Sequence, residues 1–432
     1  MSEGNGRWPL LPAAGQGAEH IDKYQARGGY SAARRVLAEL APLDVLALVE
    51  RAGLRGLGGG GFPVAGKWRA ALQYKGPRYL VANAYDADPE APIARAIIEA
   101  NPHALLEGIA LAAYGVGARE AYVYARAENS AVLRRLRAAI AEAEEQGYLG
   151  SGAFGGRWPL QVRVAAGWGG FAGGEETAAL EAIEGRRAMP RQKPPFPTQL
   201  GLWGSPTVVH SAETLANLPR LLSAGPEACG PGSKVLALGG DLARPGLVEV
   251  PFGTTLRAVV AAFGGGPVEG RPLRAVQLGG PTGAVLPEAL MDTPLGFESL
   301  AQVGAFVGSG SLRAIGEGTC MVDLARARFE YLAHESCGKC VPCRLGTNRL
   351  TAVLEAIVSG LGREDDLPLL EEFAAVVGDG SLCGFGITAP AVLRSTMKHF
   401  AEDFRVHIEE GRCPTGTCRA LRTRRFERKA AV

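Results

Sequence analysis

The chain has 432 residues, 47% of them apolar and 21% charged, with 46 basic side chains against 44 acidic ones. That length supports core for two or three domains, and a formal net charge of +2 gives no electrostatic reason to expect nucleic acid or an anionic membrane as partner. No run of about 18 apolar residues could span a bilayer, and the N-terminus, with Glu3 and several glycines, lacks the basic-then-apolar order of a signal peptide. Eight cysteines, mostly in the last quarter, fit metal ligation in a reducing, cytoplasmic setting better than a disulfide framework.

Residues 1–30 read as a flexible arm rich in Gly and polar residues. Helical apolar spacing follows over 31–52, with Pro42 dividing two helices. A glycine-rich stretch then runs from Gly53 through Gly56, Gly58, Gly59 and Gly61 to Phe62, Lys67 and Trp68, entering a helix that reaches Leu72. Bare N–H groups at a helix start form an anion site, and Lys67 adds charge, although the pattern is neither a Walker motif nor a dinucleotide fingerprint. Strands over 79–85, 120–125 and 161–165 alternate with helices over 91–115 and 130–146, the last with Ser130 as its expected cap, which implies an α/β layer with ligands at the strand ends. The third strand leads into Gly169-Gly170-Phe171-Ala172-Gly173-Gly174-Glu175-Glu176-Thr177, whose acids at a helix start are by themselves ordinary dipole partners. A stiff loop, Arg191-Gln192-Lys193-Pro194-Pro195-Phe196-Pro197, follows. Residues 233–318 change character to short strands between Gly/Pro turns, a small α+β module, and the chain from Met321 onward is helical apart from its cysteine loops.

Those loops carry the sharpest signal. Cys337, Cys340 and Cys343 lie at three-residue spacing in a stretch broken by Gly338 and Pro342, which lets three thiolates converge. A cubane iron–sulfur cluster needs four Cys ligands tuned by hydrogen bonds, and Cys383, between glycines in Gly380-Ser381-Leu382-Cys383-Gly384, is the expected fourth. Zinc usually pairs two C-x-x-C hooks, so a triplet plus a single favours the cluster. Cys413 and Cys418, with His407 and the remote Cys320, make a second plausible set, suited to one tetrahedral zinc, against a plain reading as packed thiols and an exposed His. Cys229 has no partner pattern, and a basic tail covers 419–429.

In combination, Gly61-Phe62-Pro63, Gly174-Glu175-Glu176-Thr177, Lys193-Pro194-Pro195-Phe196-Pro197, Glu213-Thr214-Leu215-Ala216-Asn217 and Glu335-Ser336-Cys337-Gly338-Lys339-Cys340 resemble, in this order, the NADH-binding flavoprotein subunit of respiratory complex I. Gly280-Pro281-Thr282-Gly283, Thr319-Cys320-Met321-Val322-Asp323 and Arg412-Cys413-Pro414-Thr415-Gly416-Thr417-Cys418 look closer to its relatives, the beta subunits of NAD-dependent formate dehydrogenases and of multimeric, electron-bifurcating iron-only hydrogenases. The resemblance implies an α/β, Rossmann-like FMN domain over 31–230, a ubiquitin-like β-grasp (SLBB) module over 231–318 and a helical-bundle [4Fe-4S] domain over 319–432. It implies that Gly56, Gly58, Gly59, Gly61 and Lys67 hold the FMN phosphate side, that Asn83, Asp88, Gly174 and Glu175 serve the flavin, and that Phe62, Phe196 and Lys193 embrace NAD(H). Glu176 would accept from the adenosine ribose and disfavour NADP. The implied activity is hydride transfer between NAD(H) and FMN, with electrons leaving singly through the cluster. The implied partners are a two-iron ferredoxin-like subunit and an iron–sulfur or catalytic subunit of formate dehydrogenase or hydrogenase type. The chain departs from these relatives at Leu57, Tyr85-Asp86, Asp88 and His210-Ser211. A rival reading rests on those positions: a paralogue that keeps its cluster as relay or scaffold but binds no FMN or NADH.

Overall fold

Strands that alternate with crossover helices pair in parallel, because the connection must return to the same edge. In this computed structural model, which describes residues 10–11, 19–225 and 232–421, β1 (Tyr79–Ala84), β2 (Glu120–Arg126), β3 (Gln161–Gly167) and β4 (Thr207–Ser211) form one wholly parallel sheet in the order β3-β2-β1-β4. The chain leaves β1 toward β2 on one side and returns to β4 on the other. Ligands in such sheets sit outside the carboxyl ends of the strands where the order reverses, and there Asn83 of β1 pairs in register with Ser211 of β4. The helix Pro102–Val116 is buried on nearly every side. The helix Ser130–Glu145 is capped by Asn129, whose side chain accepts from Val132 N, and not by Ser130, because the turn begins one residue earlier than the apolar spacing suggests.

Residues 19–30 are not part of a flexible arm. The helix Ile21–Ala26 delivers Tyr24 and Tyr30 into the core, where the Glu107 carboxylate accepts from Tyr24 Oη at 2.5 Å, Tyr30 N at 2.8 Å and Ala33 N at 3.0 Å. A buried carboxylate is expensive unless it is hydrogen-bonded, so these donors fix the segment. Residues 1–9 and 12–18, Cys229 and the tail beyond 421 lie outside the described residues.

A second sheet joins β5 (Ser233–Gly240), β6 (Gly246–Pro251), β7 (Leu273–Leu278), β8 (Ala284–Pro287) and β9 (Ser311–Gly316) in the order β6-β5-β9-β7-β8. β5 and β9 run parallel, while β7 is antiparallel to both β8 and β9. β8 is too short and too near its glycine turn to be read from sequence alone. The helices Met321–Glu335, Val341–Val358, Asp366–Gly380, Pro390–His399 and Ala401–Glu409 follow, and Ala275, Val285 and Ile315 of the sheet share one buried core with them.

The chain divides into two compact units. One holds residues up to Gly169, Glu176–Val235 and Val248–Pro251; the other holds Gly170–Glu175, Leu236–Leu247 and everything from Phe252. β7, β8, β9 and the helices from Met321 onward therefore fall in the second unit with the larger part of β5 and the turn Gly170–Glu175, while Ser233–Val235 of β5 and Val248–Pro251 of β6 are grouped with the first. Among the described residues no helix is long and apolar enough to cross a membrane.

Candidate functional site

Three cysteines of the triplet are set by one helix boundary. The helix Met321–Glu335 ends at Ser336, Gly338 turns the chain at φ +78°, and Cys340 is the N-cap of the helix Val341–Val358, which places Cys343 in its first turn. Pro342 starts that helix without an N–H to leave unsatisfied. Ser336 Oγ accepts from Gly338 N at 3.3 Å and lies 3.3 Å from Cys343 Sγ. Cys383 is the N-cap of the short helix Gly384–Thr388, and the backbone N–H groups of Phe385 and Gly386 donate to its sulfur. Burial pushes the Cys343 and Cys383 thiols up to about 11. The neighbouring thiols of Cys340 and Cys337 add to the rise at Cys343, and the Glu175 carboxylate and the Cys337 thiol add to the rise at Cys383. Cys337 and Cys340 thus act on Cys343, and Cys337 acts on Cys383 as well.

The donor set fits an iron–sulfur cluster on a further count. Ser381 Oγ is buried and finds no hydrogen-bond partner among the described residues. A Cβ on Gly386 would lie 2.3 Å from Ser381 Oγ and 3.3 Å from Cys343 Cβ, so the glycine keeps that space open between the two cysteine loops.

The glycine turn is fastened to the same loops. Phe171 N donates to Glu335 Oε2 at 2.6 Å, and the Phe171 ring lies 5.3 Å from that of Phe385. Gly170 has no room for a side chain, since a Cβ there would meet Glu335 Oε2 at 2.5 Å. Glu335 was legible in sequence only as one letter of a motif; its role appears once the turn and the loop meet.

In the other unit the glycine loop closes on itself. Gly56 N donates to Phe62 O at 2.9 Å, Val64 N to Leu54 O at 3.0 Å, and Arg55 Nε to Gly61 O at 2.6 Å. Gly59 and Gly61 take φ +127° and +59°, which side chains resist. The loop lies at the sheet's order reversal: a Cβ on Gly58 would be 2.9 Å from Ser211 Cβ, and Leu57 N donates to Thr214 Oγ1 at 2.8 Å. Lys67 Nζ donates to Glu176 Oε2 at 2.7 Å and to Val209 O at 3.2 Å, and Lys193 Nζ donates to Glu176 Oε1 at 3.3 Å. Burial alone would raise the Glu176 carboxyl, but these two ammonium groups outweigh it and hold it below its ordinary value. Phe62 and Phe196 are both about half exposed. Asn83 Oδ1 accepts from Tyr85 N at 3.2 Å, and the buried Asp88 accepts from Glu90 N at 2.9 Å.

Three of the residues on which the rival reading rests, Tyr85, His210 and Ser211, are engaged in packing and hydrogen bonds. Tyr85 is buried, stacks on Tyr124 with centroids 5.2 Å apart, and donates to Gly169 O at 2.5 Å. Ser211 caps the helix Ala212–Ala216 and lies 2.8 Å from Thr214 Oγ1. His210 Nε2 accepts from Trp68 Nε1 at 2.9 Å, so that nitrogen must be bare; burial, with a smaller push from Lys67, holds the ring's pKa down to about 3. Because the folded value is depressed, the ring's contribution to stability is fully present above about pH 6.5 and is lost as pH falls, at about 1.4 kcal/mol per unit, or about 2 kcal/mol by pH 5. His210→Gln keeps an acceptor for Trp68 and is expected to flatten that slope in thermal melts between pH 6.5 and 4. Equal slopes in both forms would count against the assignment.

The second metal set also assembles. Ligand atoms of Cys320, His407, Cys413 and Cys418, all buried, lie within 4.8 Å of one another. His407 Nε2 is 3.4 Å from both Cys320 Sγ and Cys418 Sγ, those sulfurs are 3.7 Å apart, and His407 Nδ1 donates to Asp403 O at 2.6 Å. Asp403 in turn accepts from Met321 N at 3.1 Å and from Arg274 at 2.5 Å, tying the two halves of the set.

Comparison with known proteins bears on both units. Residues 49–220 match the model of the Nuo51 FMN-binding domain, and residues 323–407 match the NADH-ubiquinone oxidoreductase-F iron-sulfur binding region. The chain is 43% identical to the F 2 subunit of the NADH-quinone oxidoreductase of Rhizobium meliloti, over 91% of this chain and 96% of that one. The chain belongs to the family of NADH-quinone oxidoreductase F subunits. It is similar to other members of that family, and at 41% identity to the HndC subunit of the NADP-reducing hydrogenase of Solidesulfovibrio fructosivorans, over 94% of this chain and 84% of that one. A crystal structure of an NAD+-reducing [NiFe]-hydrogenase in the H2-reduced state matches with a TM-score of 0.81 at 30% identity, covering 97% of this chain and 73% of that one. Like these relatives, the chain is an NADH-dehydrogenase-type subunit, with an FMN-binding domain and a 4Fe-4S binding region. The matched iron-sulfur region of this F-type chain contains Cys337, Cys340, Cys343 and Cys383 and no other cysteine; Cys320, Cys413 and Cys418 lie outside it.

Proposed function

We propose that this chain is the NADH-oxidising or NAD-reducing electron-transfer subunit of a larger complex, with its [4Fe-4S] cluster on Cys337, Cys340, Cys343 and Cys383. The observation that carries the ligand assignment is the confinement of those four cysteines, and no others, to the cluster-binding region. When bound, FMN exchanges a hydride with nicotinamide and the cluster exchanges electrons one at a time. The chain's own part is placement. Gly56, Gly58, Gly59, Gly61 and Lys67 cradle the phosphate side of FMN, and Asn83, Asp88, Gly174 and Glu175 orient its ring. Phe62, Phe196 and Lys193 grip the dinucleotide, and Glu176 accepts from its ribose. The sheet's order reversal at Asn83 and Ser211, with Gly58 against Ser211, supports that assignment.

The Lys67–Glu176–Lys193 group sets nucleotide choice. Glu176→Gln removes the charge that opposes a 2′-phosphate and releases both ammonium groups. The ratio of kcat/KM for NADPH to that for NADH is expected to rise at least about tenfold, the scale of one charge-assisted contact. An unchanged ratio would remove Glu176 from this role.

The second reading, a paralogue that binds no flavin, draws on Tyr85, whose ring is committed to Tyr124. It loses support at His210 and Ser211, which serve Trp68 and Thr214 rather than leaving a gap. Acid-released flavin from anaerobically purified protein decides between the two. About one FMN per chain, bleached by NADH, is the expected result; cluster absorbance without flavin would establish the paralogue.

Cys320, His407, Cys413 and Cys418 are assigned one zinc ion. Tetrahedral zinc puts its sulfurs about 3.8 Å apart and sulfur and nitrogen about 3.5 Å apart. The observed 3.7 Å and 3.4 Å match one ion. Cysteines that ligate metal rather than pair as disulfides, among the described residues, suit a reducing, cytoplasmic compartment. By analogy with relatives named as subunits of larger enzymes, the partners are a two-iron ferredoxin-like subunit and a catalytic subunit of formate dehydrogenase or hydrogenase type.

A further inference from the structure

We propose that the Ser381 hydroxyl donates a hydrogen bond to a sulfur of the iron–sulfur cluster and thereby holds the cluster's reduction potential up. This rests on the assignment of Cys337, Cys340, Cys343 and Cys383 as its ligands.

A buried hydroxyl without a partner costs about 1–3 kcal/mol, and native structures keep few of them. Ser381 Oγ is such a group. Neighbouring hydroxyls are engaged: Ser336 accepts from Gly338 N beside Cys343, Thr347 donates to Cys343 O, and Thr388 donates to Gly384 O. Ser381 therefore stands apart, and it does so two residues before Cys383. Gly386 is what gives it room. A Cβ at that position would overlap Ser381 Oγ and press on Cys343 Cβ, so Ser381 and a cysteine of the other loop converge on one space that a side chain at 386 would fill. A hydroxyl proton aimed there meets the sulfurs of a cluster held by both loops.

The energetic consequence has a definite sign. Reduction adds one electron to the cluster, so a donor to its sulfur favours the reduced state over the oxidised one. The amide donors to Cys383, from Phe385 and Gly386, are backbone groups that no side-chain change removes. Ser381 is a side-chain donor beside Cys383, as Ser336, 3.3 Å from Cys343 Sγ, is in the other loop, and so a residue through which the potential can differ between family members without any change of ligand.

The test uses the full chain, prepared anaerobically with its cluster. In Ser381→Ala the iron content is expected to stay at the wild-type level while the midpoint potential, followed by electron paramagnetic resonance during redox titration, shifts to a more negative value. A hyperfine coupling from a rapidly exchanging proton, lost when the reduced wild-type protein is moved into D2O, is expected to be missing from the variant. An unchanged potential at full iron content would overturn the proposal and identify the hydroxyl as packing or as the partner of a buried water. Should Ser381→Ala lose its iron, the wild-type D2O experiment decides alone: no exchangeable coupling beyond those of slowly exchanging amides overturns the proposal. Failure of the ligand assignment would look different, since the wild-type protein itself would then carry no cluster on these cysteines.

Discussion

Replacing Cys383 with Ser is expected to lower the iron content of anaerobically prepared protein at least about tenfold, more than the loss of an outer-shell contact would. The residue is buried, caps a short helix and receives two backbone N–H groups at its sulfur, so the surrounding chain is already arranged for a thiolate. A serine oxygen in that place is shorter and harder, and neither loop can move to follow it: Gly380 packs with its would-be Cβ 2.8 Å from Pro342 Cγ, and Gly386 sits against Ser381. Iron by elemental analysis, together with the cluster's visible absorbance, is the measurement. Iron retained at the wild-type level would remove Cys383 from the ligand set.

Cys413→Ser is expected to have the complementary effect. Zinc should fall from about one ion per chain to a small fraction of that, while iron stays, because the two sets share no ligand. The loss in stability should be several kcal/mol, since the binding energy of a structural zinc is folding energy. The set joins Cys320 at the head of the helix Met321–Glu335 to His407 near the end of the helix Ala401–Glu409 and to the turn at Cys413 and Cys418. Without the ion, residues 410–421 lose that anchor and should become sensitive to protease. Zinc retained by the variant, or a wild-type chain that holds none, would contradict the assignment.

Much of this was legible in the sequence because it depends on local order. Glycine and proline punctuate the cysteine triplet and the phosphate-cradle loop, and alternating apolar strands and helices announce a parallel layer. What the sequence could not supply depends on distant residues meeting. Phe171 and Glu335 are 164 positions apart, and nothing in either local pattern says that this carboxylate will accept from that amide. The small strand β8 and the cap at Asn129 were missed for a different reason, since short elements at turns carry too few residues for a period to register. From the sequence, Tyr85 can either stack on a ring or fill the space a flavin would leave. Its stacking on Tyr124 joins the residue just past β1 to β2, a contact that only the register of those strands could reveal.

The carboxylate of Glu107 has a practical bearing on any attempt to dissect this protein. A fragment begun at residue 31 would lack Tyr24 and Tyr30, leaving that acid with Ala33 N of its three donors and a hole where two aromatic rings had been. Such a piece should express poorly for reasons unrelated to redox chemistry, and a useful boundary must fall ahead of Glu19.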